Sequence, residues 1–385
     1  MRAVRSLCIL LTVVLTMEAA ARPVLSPVAF SDIPGWQTHD FGQAWDAFRR
    51  SCAEIIDTGH AFSRKVTFGG DRDDWMKACA GMAAEATARQ DFETNFTALR
   101  VSDPARPEGL FTGYYEPEAS GSLTPSPEFP VPVYRRPHDL SVFDDAAAAI
   151  TGLRYGRMVD GSPQAYFTRQ EIEAGALLGR GLEILWLKDW ADAFFIHIQG
   201  SGRVRLPDGS LIRLAYAAKS GQPYTGIGRL LVDRGVLTET SMSMQAIRAW
   251  MKTEMNAARA VMQENKSFIF FERIGVADMA LGPPGAQKVS LTPRHSLAVD
   301  RSLWMFGTPF WIETAAPMGE QSVLEPFREL MIAQDTGTAI KGHVRGDVFW
   351  GSGPDAALTA GHMKSPGTMI TLLPKALARR LLDSQ

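Results

Sequence analysis

From residue 287 onward the chain is a succession of short β-prone runs punctuated by glycine, proline or aspartate: "QKVSLTP", "LAVDRSLW", "TPFWIET", "RELMIAQDTG", "VFWGSG" and "MITLLP". Runs of this length, rich in aromatic and β-branched residues, have unpaired edges that need strand neighbours on both sides. A sheet that closes on itself leaves no edge, and glycine corners let it turn. A small closed barrel is therefore predicted.

Earlier stretches show the same habit. "GLFTGYYEPEASGS" and "FPVPVYRRP" read as short broken strands, and "SFIFFERI" as another. In "FFIHIQGSGRVRLPDGSLIRLAYAAKSG", residues 194–221, β-rich runs flank the turns Gly200-Ser201-Gly202 and Pro207-Asp208-Gly209-Ser210, which predicts a meander of three strands. Helical spacing of apolar residues marks about 40–100, with "FGQAWDAFRRSCAEII", "DWMKACAGMAAEAT" and "ARQDFETNFTAL". It returns in "TGIGRLLVDRGVL" and "SMQAIRAWMKTEMNAARAVMQEN", and the final "KALARRLLDSQ" reads as a short helical tail. No long-period repeat or low-complexity tract interrupts this pattern. With 385 residues the expectation is a mainly β protein with N-terminal helices and two domains.

The opening "MRAVRSLCILLTVVLTMEAAARPV" differs in kind: Arg2 and Arg5, an apolar run from Leu7 to Met17, then Ala19-Ala20-Ala21. This is the pattern of a cleavable secretory signal over residues 1–21, with the mature chain beginning near Arg22. The alternative is an uncleaved membrane anchor, although the apolar run is well short of the ~20 residues a spanning helix needs. Cys8 lies inside the run rather than after it, so no lipid-attachment signal is read. Export leaves Cys52 and Cys79, each near the end of a predicted amphipathic helix ("WDAFRRSC", "DDWMKAC"), as a disulfide candidate; two buried free thiols are the other reading.

Several chemistries find no support. A formal net charge of -2 without blocks of like charge gives no footprint for nucleic acid. The seven histidines include no metal-binding spacing, and two cysteines cannot form a thiolate zinc site, so no metal or other cofactor is expected. "GIGRLL" lacks the third glycine of a phosphate loop. Ser201 in "QGSGR" does not match the nucleophile elbow and reads as a turn serine.

Carboxylates remain. Asp300, Asp335 and Asp347 each follow an apolar strand-like run, and a carboxyl with a raised pKa can protonate the leaving oxygen of a glycosidic bond. The competing reading is that each accepts backbone amides and shapes a turn, which would hold its pKa low. Local physics leaves Asp335 and Asp347 level. Tyr114, Tyr115, Phe349 and Trp350 flank glycines and could grip sugar faces or fill a core; in a strand, Phe349 and Trp350 must face opposite ways.

Taken in order, "FTGYYEP", "IQGSGRVRLPDGS", "YAAKSGQPYTGIGRLLVDRG", "MSMQAIRAW", "ENKSFIFFE", "AVDRSLWMFGTP" and "AQDTGTAIKGHVRGDVFWGSGPDA" resemble the membrane-bound lytic murein transglycosylase A family over about residues 100–375. The closing part resembles its three-aspartate (3D) domain, about 290–375. The resemblance implies a double-psi β-barrel, residues 22–115 plus 273–375, interrupted by a β-rich insert over 116–272, with a groove between them and a tail at 376–385. It implies an exo-acting enzyme without cofactor, cutting the β-1,4 bond between N-acetylmuramic acid and N-acetylglucosamine by attack of the muramic 6-hydroxyl.

By the same resemblance Asp347 is acid and then base, with Asp335 and Asp300 as supporting carboxylates. Lys341 and Arg345 would lower its pKa, so they are expected to point elsewhere. Thr112, Tyr114, Tyr115, Gln199, Ser201 and Gly202 would line the groove. The family's named member is a lipoprotein; this chain, lacking a lipidated cysteine, is expected to be a periplasmic monomer, with peripheral outer-membrane association open. Expected partners are peptidoglycan glycan strands and other cell-wall enzymes. Two rivals stand beside this reading: an inverting β-glycan hydrolase using Asp347 with Asp300 or Asp335, and a non-catalytic wall-binding protein.

Overall fold

A computed structural model describes residues 24–82, 87–103, 106, 108–275, 278–319 and 322–384. The expected signal segment, residues 1–21, lies outside them. Among the described residues, no helix is long and apolar enough to cross a membrane.

Among the described residues the first element is an edge strand, β1 (Val24–Pro27), followed by α1 (Gly42–Asp57), α2 (Arg72–Ala80) and α3 (Ala88–Asn95). α1 buries Trp45, Phe48, Cys52 and Ile55, spaced by three and four residues on one face. α2 opens with a reciprocal capping box between Asp71 and Asp74. A disulfide joins Cys52 of α1 to Cys79 of α2. Strand β2 (Phe96–Ser102) then pairs with β1, and β3 (Gly109–Glu116) leads out of this first body.

The middle of the chain forms a second sheet. It begins with β4 (Glu118–Ser122) and β5 (Val131–Tyr134); a separate three-stranded sheet follows, of β6 (Ser141–Val142), β7 (Tyr155–Val159) and β8 (Ser162–Gln164), with helix α4 (Asp145–Thr151) between β6 and β7. After α5 (Arg169–Glu171) come β9 (Glu183–Leu187), α6 (Trp190–Gln199), β10 (Gly202–Arg205) and β11 (Leu211–Lys219). Helices α7 (Ile227–Asp233), α8 (Met244–Thr253) and α9 (Met255–Glu264) precede β12 (Ile269–Ile274). The six-stranded sheet runs β12-β11-β10-β4-β9-β5.

The predicted three-stranded meander is corrected here, because residues 190–199 are helix α6 and only β10 and β11 form a hairpin. Asp189 caps the helix by accepting the Asp192 amide, and Gly200, at φ +77°, ends it. Ala191, Ala193, Phe194, Phe195, Ile196 and His197 are all buried. The β-like composition reflected burial on every side rather than strand geometry.

The chain then returns to the first body with β13 (Ser296–Ala298), β14 (Pro309–Met318), β15 (Val323–Asp335), β16 (Arg345–Ser352), α10 (Pro354–His362), β17 (Lys364–Pro374) and α11 (Lys375–Asp383). Strands β17-β14-β15-β13-β16-β3 are neighbours in that order, and β3 pairs again with β17. The six strands thus close into the barrel that the glycine-cornered runs predict. "QKVSLTP" is the exception: it makes only an isolated bridge between Pro284 and Ser290. The C-terminal tail is no loose end, since α11 buries Leu377 and Ala378 and Arg380 reaches Asp74 of α2. On β3, Gly113 lets α10 and the Trp350 indole come close; a Cβ there would lie 2.7 Å from the indole and 2.8 Å from Ala360.

Candidate active site

The barrel register brings the aspartates together. Ala298 of β13 lies opposite Asp335 of β15 on one side and Asp347 of β16 on the other, and Asp347 lies opposite Thr112 of β3. Residues directly opposed across strands project to the same face. Asp335, Asp347 and Thr112 therefore share one row, with only the Ala298 methyl between the carboxylates. Alternation along β3 adds Tyr114, and along β16 Phe349, to that face; their rings lie 5.2 Å apart.

Asp347 accepts a hydrogen bond from the Thr112 hydroxyl. Arg345 Nη2 donates to the same Thr112 oxygen at 2.8 Å. Asp335 accepts from the Thr336 amide at 2.8 Å, the Ala286 amide at 3.0 Å and the Tyr114 hydroxyl at 3.0 Å. Both aspartates are half-buried by accessible surface, with protein packed closely around their carboxyl groups. Burial dominates their electrostatics. It pushes Asp335 up to about 6 against its three donors, with the neighbouring Asp347 charge adding to the rise. Burial likewise raises Asp347 above the usual carboxylate range, opposed by Arg345 and the Thr112 hydroxyl. Burial and then the Asp335 charge hold the Tyr114 phenol well above its ordinary value, so it stays a donor.

Asp300 is a different residue. Although burial pushes its carboxyl upward, donors outweigh that effect and hold it below the usual range: the Ser302 hydroxyl and amide at 2.7 and 3.0 Å, the Gly342 amide at 3.2 Å and Lys341 at 3.2 Å. It pins the loop joining β15 to β16 and does not sit in the carboxylate row.

The two expected cations separate. Lys341 turns to Asp300, away from Asp347. Arg345 does not point elsewhere: it reaches Asp347 through Thr112, a correction that follows from strand alternation, because Arg345 is two residues before Asp347 and shares its face. Tyr115 is also corrected. It faces the opposite side of β3 and is 4 % exposed, so its ring is not available as a sugar platform. Phe349 and Trp350 do face opposite ways, yet both are buried; Trp350 packs on Phe327.

From the insert, Gln199 Oε1 accepts the Tyr115 amide at 3.2 Å, which holds the turn carrying Ser201 and Gly202 against the end of β3. Ser201 and Gly202 are themselves mostly covered. A separate cavity of ≈ 250 Å³ opens within the insert beside Glu173, Trp186, Trp190 and His197 and touches none of the three aspartates.

Two family models match the chain: an MltA-specific insert domain at residues 110–272 and a 3D domain at residues 295–373. A crystal structure of a membrane-bound lytic murein transglycosylase from Agrobacterium tumefaciens is similar with TM-score 0.82 and 35% identity, covering 92% of this chain and 99% of that one. The chain belongs to the lytic murein transglycosylase A family. The Vibrio cholerae membrane-bound lytic murein transglycosylase A is 34% identical over 265 residues, 67% of this chain and 63% of that protein. This chain thus aligns with less than two thirds of that relative's length. Escherichia coli MltA with bound chitohexaose is similar with TM-score 0.63 and 27% identity, covering 91% of each chain.

Sequence reasoning passed over one feature of the family member in hand. Glu116, two residues beyond Tyr114 on the same face of β3, is 0 % exposed and bonds Arg203 at 2.8 Å, Arg213 at 2.7 Å and the Ser352 hydroxyl at 2.9 Å. These bonds tie β3 and β16 of the barrel to β10 and β11 of the insert. The alternation Thr112, Tyr114, Glu116 in "FTGYYEP" was the available signal.

Proposed function

We propose that this chain is a lytic transglycosylase that cleaves the β-1,4 bond between N-acetylmuramic acid and N-acetylglucosamine in peptidoglycan, with Asp347 as acid and then base. The observation that carries the reading is a half-buried carboxyl with a raised pKa, held by Thr112 in the barrel of this family. Asp347 gives its proton to the departing glucosamine oxygen, and the muramic 6-hydroxyl attacks its own anomeric carbon. The resulting carboxylate takes the 6-hydroxyl proton, leaving a 1,6-anhydro end with no water consumed. Because the nucleophile comes from the sugar, one carboxyl suffices.

On this reading Asp335 keeps the neighbouring charge and Tyr114 in place, and the glycan lies where β3 passes from barrel to insert, near Gln199 and Ser201. The barrel has double-psi topology, and the enzyme works in the periplasm after export. Support for a glycan substrate comes from the relative that holds chitohexaose. The test is mass spectrometry of products released from purified peptidoglycan. Anhydromuramic ends are expected; ordinary reducing ends would contradict the reading and favour a hydrolase in which Asp335 activates water.

A further inference from the structure

We propose that Arg345 and Thr112 form a positioning relay that reserves Asp347 Oδ2 as the proton-carrying atom; the inference rests on Asp347 being the acid. A guanidinium can only donate, so where Arg345 Nη2 meets Thr112 Oγ1 at 2.8 Å the hydroxyl must accept. A hydroxyl has one proton. With its acceptor side taken by Arg345, that proton is directed to Asp347 Oδ1. An oxygen receiving that bond is a poor place for the acid's own proton, which is left to Oδ2. The relay thereby fixes both the rotation of the carboxyl and the oxygen presented to substrate.

Arg345 is itself held. Its Nη1 donates to the Gly346 carbonyl and, at 3.4 Å, to the Leu110 carbonyl, so β16 and β3 both orient the guanidinium. A direct ion pair would favour the carboxylate strongly and work against proton donation. Placing a neutral hydroxyl between the charges keeps the orientation and weakens that effect. The groups facing Asp347 are Thr112 and Tyr114 from β3, Arg345 from β16 and Asp335 from β15, across Ala298 of β13. Lys364 of β17 lies opposite Thr112 in the register and is exposed.

Arg345 and Thr112 both favour the ionised form, so removing either raises the Asp347 pKa and moves the high-pH limb of kcat upward. The test uses the full-length protein on soluble glycan strands, comparing Thr112→Val, Thr112→Ser, Arg345→Met and wild type. Thr112→Val is expected to lose kcat about tenfold or more with KM little changed, since misorienting an acid forfeits part of its ~10²-fold or larger contribution. Its high-pH limb should move up, and Thr112→Ser, which keeps the hydroxyl, should restore both. Arg345→Met should shift the limb in the same direction and serves if Thr112→Val does not fold.

An unshifted limb in both Thr112→Val and Arg345→Met, or a serine variant no better than valine, would overturn the relay. Full turnover by Asp347→Asn would instead overturn the acid assignment beneath it.

Discussion

β3 passes two carboxylates within five residues, Glu116 fully buried and Asp347 half-buried, and treats them oppositely. Glu116 meets two guanidinium groups and a serine hydroxyl directly, whereas Asp347 meets one threonine hydroxyl with a guanidinium a step behind. The first arrangement gives a buried carboxylate direct cationic partners and makes a clamp between barrel and insert. The second leaves burial as the stronger influence, so the carboxyl can hold a proton. Under the proposed function, a hydroxyl interposed before the cation is what distinguishes Asp347 from Glu116.

Breaking the clamp gives the largest expected effect on stability. Glu116→Ala leaves Arg203 and Arg213 buried without their carboxylate and should cost about 3–5 kcal/mol in urea unfolding; a loss under about 1 kcal/mol would mean the clamp is not what joins the two bodies.

Asp335 gives the next effect, and its sign is set by pH. Its folded value is about 6 against an ordinary 3.8, so below about pH 4 folded and unfolded states both keep the proton. As pH rises through 6 the unfolded state has released it first, and the wild type loses stability. Two pKa units at about 1.4 kcal/mol each make up to about 3 kcal/mol, which Asp335→Asn should not lose between pH 4 and pH 8. Parallel pH curves for variant and wild type would show that this carboxyl is not held protonated by burial.

The smallest effect belongs to Lys341→Ala. The lysine is 59% exposed, and Asp300 keeps three other donors, so thermal unfolding should report under about 1 kcal/mol. A larger loss would place Asp300 with Glu116 as a carboxylate that depends on its cation.

Much of the barrel was legible because its strands alternate and its corners are glycines. The opposite facing of Phe349 and Trp350 followed from a period of two alone. The α6 error has a clear cause: aromatic and β-branched residues buried on all sides look alike in helix and strand, and the Asp189 cap and Gly200 stop were weaker signals than the composition. "QKVSLTP" failed for the opposite reason: it is a strand-like string whose Lys288 amide closes a turn on the Gly285 carbonyl, directly after the Ala286 amide that reaches Asp335. The pairing of Asp335 and Asp347 across Ala298 was not legible, since register between distant strands is a tertiary property. Nor was the mediated approach of Arg345, because a cation two residues away on a strand shares the face without fixing its contact.

The most direct test sets Asp347→Asn beside Asp335→Asn and measures release of anhydromuropeptides from purified peptidoglycan. Loss of about 10²-fold or more is predicted for Asp347→Asn, against a smaller loss with product still formed for Asp335→Asn. Equal loss in both would make the carboxylates a working pair, and undiminished release by Asp347→Asn would contradict the account.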